Sequence, residues 1–204
     1  MKQSRSSKSL RSPRSGRCGA EKPAALVLTP LNLPARLSVR EMRASDISQV
    51  KKIETISFDE KWPEDSYLQE IRNNKIADYI VMTDGDDVIG YAGMWLIMDE
   101  AHITTVAAHP RRRGKKIGTV LVWSLLARAI ADNARWATLE VNVNNTPAQK
   151  IYESFGFTII GRRKAYYRNG DNAHVMWAGN IQGLTFMNRM EAVRKSIEEF
   201  FKAG

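Results

Sequence analysis

The feature that most constrains the fold is a strand that leads into a basic, glycine-containing loop and then into a helix. Residues 102–108 alternate as a strand, residues 111–118 read Arg-Arg-Arg-Gly-Lys-Lys-Ile-Gly, and apolar residues then recur at helical spacing to about residue 132. The N-terminus of a helix offers unpaired backbone N–H groups and a partial positive charge, so such a loop predicts a phosphate-binding site. It is neither a Walker A sequence nor a dinucleotide fingerprint, because no Ser or Thr follows Gly-Lys and a third glycine is missing.

The remaining elements are a mixture of strands and helices. Alternating apolar residues predict further strands at residues 37–40, 79–82, 88–97, 136–143, 159–167 and 173–178. Helices are predicted after Ser45 as an N-cap, from Pro63 in a first turn, at residues 147–155, and in the amphipathic stretch 180–204. The order β-α-α-β-β-β-α-β-α-β-β predicts a mixed α/β layer in a single domain.

The first 20 residues differ in composition from the rest of the chain. They hold six basic and no acidic residues, out of a net charge of +9, and almost no apolar ones. We therefore expect disorder there, and divide the chain into a basic extension and linker (1–36), a domain (37–179) and a C-terminal helix (180–204). The Ser/Arg bias fits an organelle-targeting peptide as well as a solvated tail or an extended start site. Nucleic acid contact is expected only through this arm, and the location is expected to be cytoplasmic.

Several other classes of protein are disfavoured by composition. The single cysteine, Cys18, lies in the basic arm, so neither a disulfide nor a cysteine nucleophile is expected. The three histidines, His102, His109 and His174, are scattered and are interpreted as structural, so no metal site is predicted. No run of 18 apolar residues is present, so no membrane partner is expected.

A second informative segment follows the helix. It runs Leu-Glu-Val from Leu139, continues through Asn145 and Ala148, and reaches Tyr152 and the Gly-Phe pair at Gly156. Together with the basic loop, this order and spacing resemble the GNAT superfamily of N-acetyltransferases. Within that superfamily the chain is most similar to the ribosomal-protein-alanine N-acetyltransferases, which share the Trp-Pro stretch, here at residues 62–63, and the Tyr-Tyr pair at residues 166–167.

The resemblance implies a GNAT fold, with a mixed and mostly antiparallel sheet flanked by helices, and acetyl-CoA as cosubstrate without a metal. It implies Glu140 as general base and Tyr152 as general acid, and Tyr166 and Tyr167 on the side where a peptide enters. The coenzyme-binding residues that it implies are Val106, Ala107, Ala108, Arg113, Gly114, Lys115, Lys116, Ile117, Gly118, Thr119 and Asn145. The implied acceptor is the N-terminus of a protein or peptide, such as a ribosomal protein. Lys116 departs from the family pattern, which has glycine or alanine there.

The chemistry suits an α-amine better than a lysine side chain. An α-amino group has a pKa of about 7.7–8.0, so about a tenth of it is neutral and nucleophilic at pH 7, against about one lysine in a few thousand. An ordinary glutamate is too weak a base to deprotonate ammonium directly. The reaction therefore needs either a buried, more basic glutamate or a proton transfer through water.

Two other functions remain open at this point. The first is acetylation of a small amine such as an aminoglycoside or a polyamine, for which a more acidic pocket is expected. The second is a non-catalytic acetyl-CoA-binding module, if Lys116 impairs turnover. The Asp99-Glu100 pair is interpreted as a loop charge pair, with attraction of a cationic amine as the alternative.

Overall fold

The computed structural model describes residues 28–59, 61–63 and 65–203, and in them the predicted order of elements is confirmed. The strands are β1 (Leu37–Glu41), β2 (Ala77–Asp84), β3 (Asp87–Ile97), β4 (Glu100–Ala108), β5 (Trp136–Asn142), β6 (Thr158–Arg163) and β7 (Ala173–Gly179). The helices are α1 (Ile47–Ser57), α2 (Ser66–Asn73), α3 (Ile117–Ala131), α4 (Thr146–Phe155) and α5 (Leu184–Lys202).

The seven strands form one sheet in the order β1-β2-β3-β4-β5-β7-β6. Every neighbouring pair is antiparallel except β4 and β5, which are parallel. Helices α1 and α2 pack on one face through a cluster that includes Val50, Ile53 and Tyr67. The other face carries a larger core with α3, α4 and α5. The predicted mixed, mostly antiparallel α/β fold is thus confirmed.

Four predicted boundaries are wrong. The C-terminal helix begins at Leu184 instead of residue 180. Ser45 is not the N-cap of α1, because a short 3-10 turn at Ala44–Asp46 precedes the helix and the Asp46 carboxylate accepts the Arg43 N–H. Pro63 lies in a turn before α2, with its carbonyl accepting the Ser66 N–H. Strand β6 ends at Arg163 instead of residue 167.

Part of the predicted linker belongs to the domain. Leu28, Leu31 and Leu33 have no regular secondary structure but pack against the larger core. The backbone N–H of Asn32 also donates to the Glu198 carboxylate on α5. The segment just before β1 is therefore held in place by the C-terminal helix, whereas the disorder predicted for residues 1–20 lies outside the described residues.

A buried polar chain runs inside the smaller cluster. The Glu54 carboxylate, 1% exposed, accepts the backbone N–H of Trp62 and the hydroxyl of Tyr67. The Tyr67 hydroxyl in turn lies 2.9 Å from that of Tyr91 on β3. Because buried polar groups cost free energy unless they are paired, these contacts fix the α1–α2 connection at Trp62 against the sheet.

Candidate active site

Strands β4 and β5 separate part-way along their length. Their described ladder ends at the pair Ile103–Leu139, although β4 continues to Ala108 and β5 to Asn142. Just beyond this point the β3–β4 register shifts, so that Gly93 pairs with Thr105, Met94 pairs with Ile103, and Thr104 is the extra residue. A bulge bends the strand that carries it. The result is a gap between the two parallel strands, and the predicted coenzyme residues Val106, Ala107 and Ala108 lie along it.

The predicted phosphate loop closes the end of this gap. It runs from the end of β4 to α3 through two left-handed residues, Gly114 (φ +74°) and Lys116 (φ +58°). Lys116 is the N-cap of α3, so the N–H groups of Ile117, Gly118 and Thr119 occupy the first turn, where a helix has no internal partner for them. This positive φ explains why the family pattern has glycine at the Lys116 position, since glycine adopts positive φ at little cost.

The basic side chains of the loop have different partners. Arg112 pairs with Asp84 at 3.0 Å, and the Lys116 ammonium lies 3.3 Å from the Ser196 hydroxyl on α5. Arg113 and Lys115 are exposed at the surface of the loop. Lys116 is therefore directed toward α5, and Arg113 and Lys115 are better placed to meet an anion from solvent.

Helix α4 starts beside the end of β5. The Asn145 side chain is its N-cap, because its Oδ1 accepts the Ala148 N–H at 3.2 Å. About two turns farther along α4, Tyr152 is 8% exposed and packs edge-on against Phe157. Burial raises the pKa of Tyr152 well above the ordinary tyrosine value, with a smaller contribution from Tyr167. This hydroxyl therefore stays protonated.

Glu140 lies on β5 one residue beyond the last β4–β5 pair, with its side chain 8% exposed. Its Oε2 is 3.3 Å from Nε2 of His102 on β4, and its Oε1 is 2.8 Å from the Arg163 guanidinium at the end of β6. The carboxylate is thus held between a histidine and an arginine from two other strands.

Tyr166 and Tyr167 lie in the connection between β6 and β7. Their rings meet edge-on with centroids 5.2 Å apart, and the Arg163 guanidinium lies 5.5 Å from the Tyr166 ring centroid. Burial raises the pKa of Tyr167 to about 12, and the charges of Tyr166, Glu140 and Asp171 add to this increase. Tyr167 is close enough to both Glu140 and Tyr152 for its charge to interact with them, so these three predicted residues lie near one another.

Comparisons with known proteins agree with this geometry. Residues 47–157 match the family model described as the acetyltransferase (GNAT) family. The chain belongs to the GNAT acetyltransferase family. A Bacillus subtilis (strain 168) protein named as a candidate [ribosomal protein bS18]-alanine N-acetyltransferase is 40% identical over 146 residues, or 71% of this chain and 97% of the relative.

Two further matches concern the same group of enzymes. The [ribosomal protein bS18]-alanine N-acetyltransferase of Haemophilus ducreyi (strain 35000HP) is 34% identical over 63% of this chain and 87% of the relative. The crystal structure of the ribosomal-protein-S18-alanine N-acetyltransferase from Escherichia coli superposes with a TM-score of 0.65 at 21% identity. That superposition covers 71% of this chain and 94% of the other, and it supports the fold.

Two residues of this GNAT acetyltransferase that contact Glu140 were not predicted as site residues. His102 was interpreted as structural, and Arg163 was placed within a strand without a role. Strand alternation puts His102 and Glu140 on the same face of the sheet only when β4 and β5 are adjacent and in the observed register. A single sequence does not reveal which strands pair or in which register, so it could not predict that His102 contacts Glu140.

The described part of the acetyltransferase has neither a candidate membrane span nor a candidate metal cluster. Among the described residues, no helix is both long and apolar enough to cross a membrane. In the same part of the chain, no cluster of three or more His, Cys, Asp or Glu side chains has the arrangement of a metal site.

Proposed function

We propose that this acetyltransferase transfers the acetyl group of acetyl-CoA to the N-terminal α-amino group of a protein, and that a ribosomal protein is its acceptor. The observation that carries the chemistry is the position of Glu140, a nearly buried carboxylate beside the gap between β4 and β5. The acceptor class is supported by the Bacillus subtilis relative, which matches over 97% of its own length.

The gap fits the extended arm of the coenzyme. Beyond Ile103 the described part of β4 has no ladder partner on the β5 side, so backbone groups near Val106 are available to hydrogen-bond a pantetheine arm. The N–H groups at the start of α3, with Arg113 and Lys115 nearby, would hold the pyrophosphate. The Asn145 amide nitrogen remains available to the arm from the opposite side, since only its oxygen is used in capping α4.

Glu140 would serve as the base for the acceptor amine. About a tenth of an α-amine is neutral at pH 7, and a carboxylate at this position would take the proton that the nitrogen loses on attack at the thioester carbonyl, directly or through water. Backbone N–H groups of β4 would stabilise the negative charge that develops on the carbonyl oxygen. The Tyr152 hydroxyl, which burial keeps protonated, would donate to the departing thiolate.

A panel of short peptides that differ only in their first residue tests the proposal, with release of free coenzyme A as the readout. We expect turnover with peptides that begin with alanine or another small residue, and none with the same peptides blocked at the N-terminus. Spermidine and an aminoglycoside serve as competing acceptors. Faster turnover of either amine than of every peptide would contradict the protein acceptor, and binding of acetyl-CoA without turnover of any acceptor would contradict catalysis.

A further inference from the structure

We propose that the open face of the sheet beside Glu140 is a docking surface for a basic, extended segment that follows the first residue of the acceptor. The proposal rests on the proposed function and deepens it, because the segment belongs to the same acceptor protein. It adds a requirement that the chemistry at the α-amine does not impose, namely positive charge a few residues beyond the acetylated one.

Strand pairing brings two tryptophans onto the face that carries Glu140. Trp95 on β3 lies opposite His102 on β4, and His102 Nε2 contacts Glu140 Oε2 at 3.3 Å. Thr138 on β5 lies opposite His102 on one side and opposite Trp177 on β7 on the other. Because directly opposed residues project from the same face of a sheet, Trp95 and Trp177 lie in one row beside Glu140.

Two further tryptophans extend this row. Trp136 on β5 stacks on Trp177, with ring centroids 6.4 Å apart. Trp62, in the connection before α2, lines an open cavity of about 430 Å³ together with Trp95. Four of the five tryptophans in the chain thus share one surface, whereas the fifth, Trp123, is buried in the core on the other side of the sheet. We call this surface the tryptophan face.

The tryptophan face is open to solvent over part of its area. Trp177 is 36% exposed, and Ile97, which alternates with Trp95 on β3, is 46% exposed. The helices on this side, α1 and α2, pack mainly on β2, β3 and β4, so the area over β5 and β7 lies beyond them. Partly exposed tryptophans are enriched where proteins contact one another. Continuity with Glu140 makes the acceptor protein the natural occupant.

Carboxylates line the tryptophan face. Asp65 and Glu70 border the cavity beside Trp95, and Glu70 Oε2 accepts the Trp95 indole N–H at 2.7 Å. Glu100 lies opposite Trp136 in the β4–β5 ladder. A surface that combines indole rings with carboxylates is complementary to cations.

Several cations that border this surface already have carboxylate partners. These ion pairs are Arg163–Glu140, Lys51–Glu54 and Arg135–Asp99. The chain as a whole carries a net charge of +9, so the carboxylates of the tryptophan face stand apart from its general charge. They would repel the phosphates of a nucleic acid and attract a basic peptide.

Arginine and lysine side chains of an extended peptide match these features. Their charged groups bind over an indole face or beside a carboxylate, and their aliphatic stems pack on apolar rings. Trp136 lies four residues from Glu140 along β5, a distance of roughly 13 Å that an extended peptide covers in about four residues. With the acetylated residue at Glu140, the third to fifth residues of the acceptor would therefore reach the tryptophan face.

The first test uses the unmodified protein and three peptides. All begin with alanine, and they differ only at the third to fifth positions, which are arginine, glutamine or glutamate. Arginine replaces lysine in this series because a lysine amine would itself be an acceptor. We expect kcat/KM, from release of free coenzyme A, to be about tenfold higher with arginine than with glutamine and lowest with glutamate. Added potassium chloride should reduce the advantage of arginine.

The outcomes of this series separate the two proposals. Equal kcat/KM for the arginine and glutamine peptides would overturn the docking surface and leave the proposed function intact. Turnover of none of the peptides would overturn both. Faster turnover of the glutamate peptide would show that the carboxylates of the tryptophan face do not contact the acceptor.

Two variants locate the effect on the tryptophan face. Trp177→Leu removes an exposed indole ring, and Glu70→Gln removes a charge while its amide oxygen still accepts the Trp95 N–H. Each should raise KM for the arginine peptide by about fivefold and leave kcat, KM for the glutamine peptide and the Kd for acetyl-CoA unchanged. The control is Ile159→Ala, which shortens an exposed side chain on the opposite face of the sheet. An equal rise in KM for both peptides would refute recognition of charge.

Sedimentation velocity tests a second copy of the chain as the occupant of this surface. We expect the wild type and Trp177→Leu to sediment alike at the concentration of the assay. A wild-type dimer that Trp177→Leu dissociates would show that the tryptophan face is buried between two copies, and it would overturn the proposal.

Discussion

The Glu140 region and the phosphate loop are built in opposite ways. Glu140 is nearly buried and held by side chains from β4 and β6, so its environment depends on tertiary contacts. The phosphate loop is exposed, and its main donors are backbone N–H groups at the start of α3, so its function depends on local backbone conformation. We infer that the first region governs the chemical step and the second governs coenzyme affinity, and that mutations should separate the two.

The largest difference between the effect on kcat and the effect on coenzyme affinity is expected from Glu140→Gln. The amide keeps the shape of the side chain but does not accept a proton, so kcat should fall by about 10²–10⁴-fold, the usual range for general base catalysis. The Kd for acetyl-CoA should stay within about twofold. Steady-state kinetics and calorimetry measure the two effects. Glu153→Gln, exposed on α4, is the matched control. Retention of half of the wild-type kcat at pH 7 would contradict the assigned base and direct attention to Glu100.

The next largest effect is expected from Tyr152→Phe, which removes only the hydroxyl. We expect kcat to fall by about 10²-fold, the lower end of the range for general acid catalysis. The deficit should shrink with an acyl donor whose thiol is more acidic, because that thiolate leaves without a proton. Ser154→Ala, which removes an exposed hydroxyl from the same helix, provides the control. An equal deficit with all donors would mean that Tyr152 positions the coenzyme and does not donate a proton.

A moderate effect on coenzyme affinity, through the phosphate loop, is expected from Arg113→Ala. Loss of one exposed cation beside the pyrophosphate should raise the Kd for acetyl-CoA by about tenfold, or roughly 1.4 kcal/mol. At saturating coenzyme kcat should not change. Arg72→Ala on α2 removes the same charge far from the loop and should leave Kd unaltered. If titration calorimetry gives the same Kd for both variants, Arg113 does not take part in coenzyme binding.

The smallest effect is expected from Lys116→Gly. Lys116 has a left-handed backbone conformation, which costs an L-residue about 1 kcal/mol relative to glycine. The free energy of unfolding should therefore rise by about that amount, as measured by urea denaturation, while the Kd for acetyl-CoA changes little. Lys115→Gly, at a residue without positive φ, should lower it instead. A tenfold weaker Kd in Lys116→Gly would show that the lysine itself binds phosphate.

Hydrophobic periodicity predicted the existence and order of the helices and strands more reliably than the residues at which they begin and end. β6 was predicted to reach residue 167, but Ala165 has a positive φ of 46° and its N–H is bound by the Asn172 side chain. This side-chain contact ends the strand, and an alternating pattern carries no sign of it. Likewise Asp46, and not Ser45, is the N-cap residue of α1, and its carboxylate binds Arg40 on β1 and the Arg43 N–H instead of capping the helix.

The candidate site was predictable where it is contiguous in sequence. The loop from Arg113 to Thr119 reads directly from the chain, and its position at the N-terminus of α3 is confirmed. The contacts of Glu140 are different, because His102 and Arg163 reach it only through strand pairing and the bend at Thr104. The assigned roles of Glu140, Tyr152 and the coenzyme-binding residues stay predictions until they are tested by mutation.

The buried chain from Glu54 through Tyr67 to Tyr91 has a consequence for how such proteins diverge. Removal of the Glu54 carboxylate takes away the acceptor of the Trp62 N–H, the Lys51 ammonium and the Tyr67 hydroxyl, and each buried donor that is left without a partner costs about 1–3 kcal/mol. A single substitution is therefore a poor evolutionary step here. Across relatives, we expect Glu54 to be retained, or to change together with Lys51 and Tyr67, whose side chains donate to it.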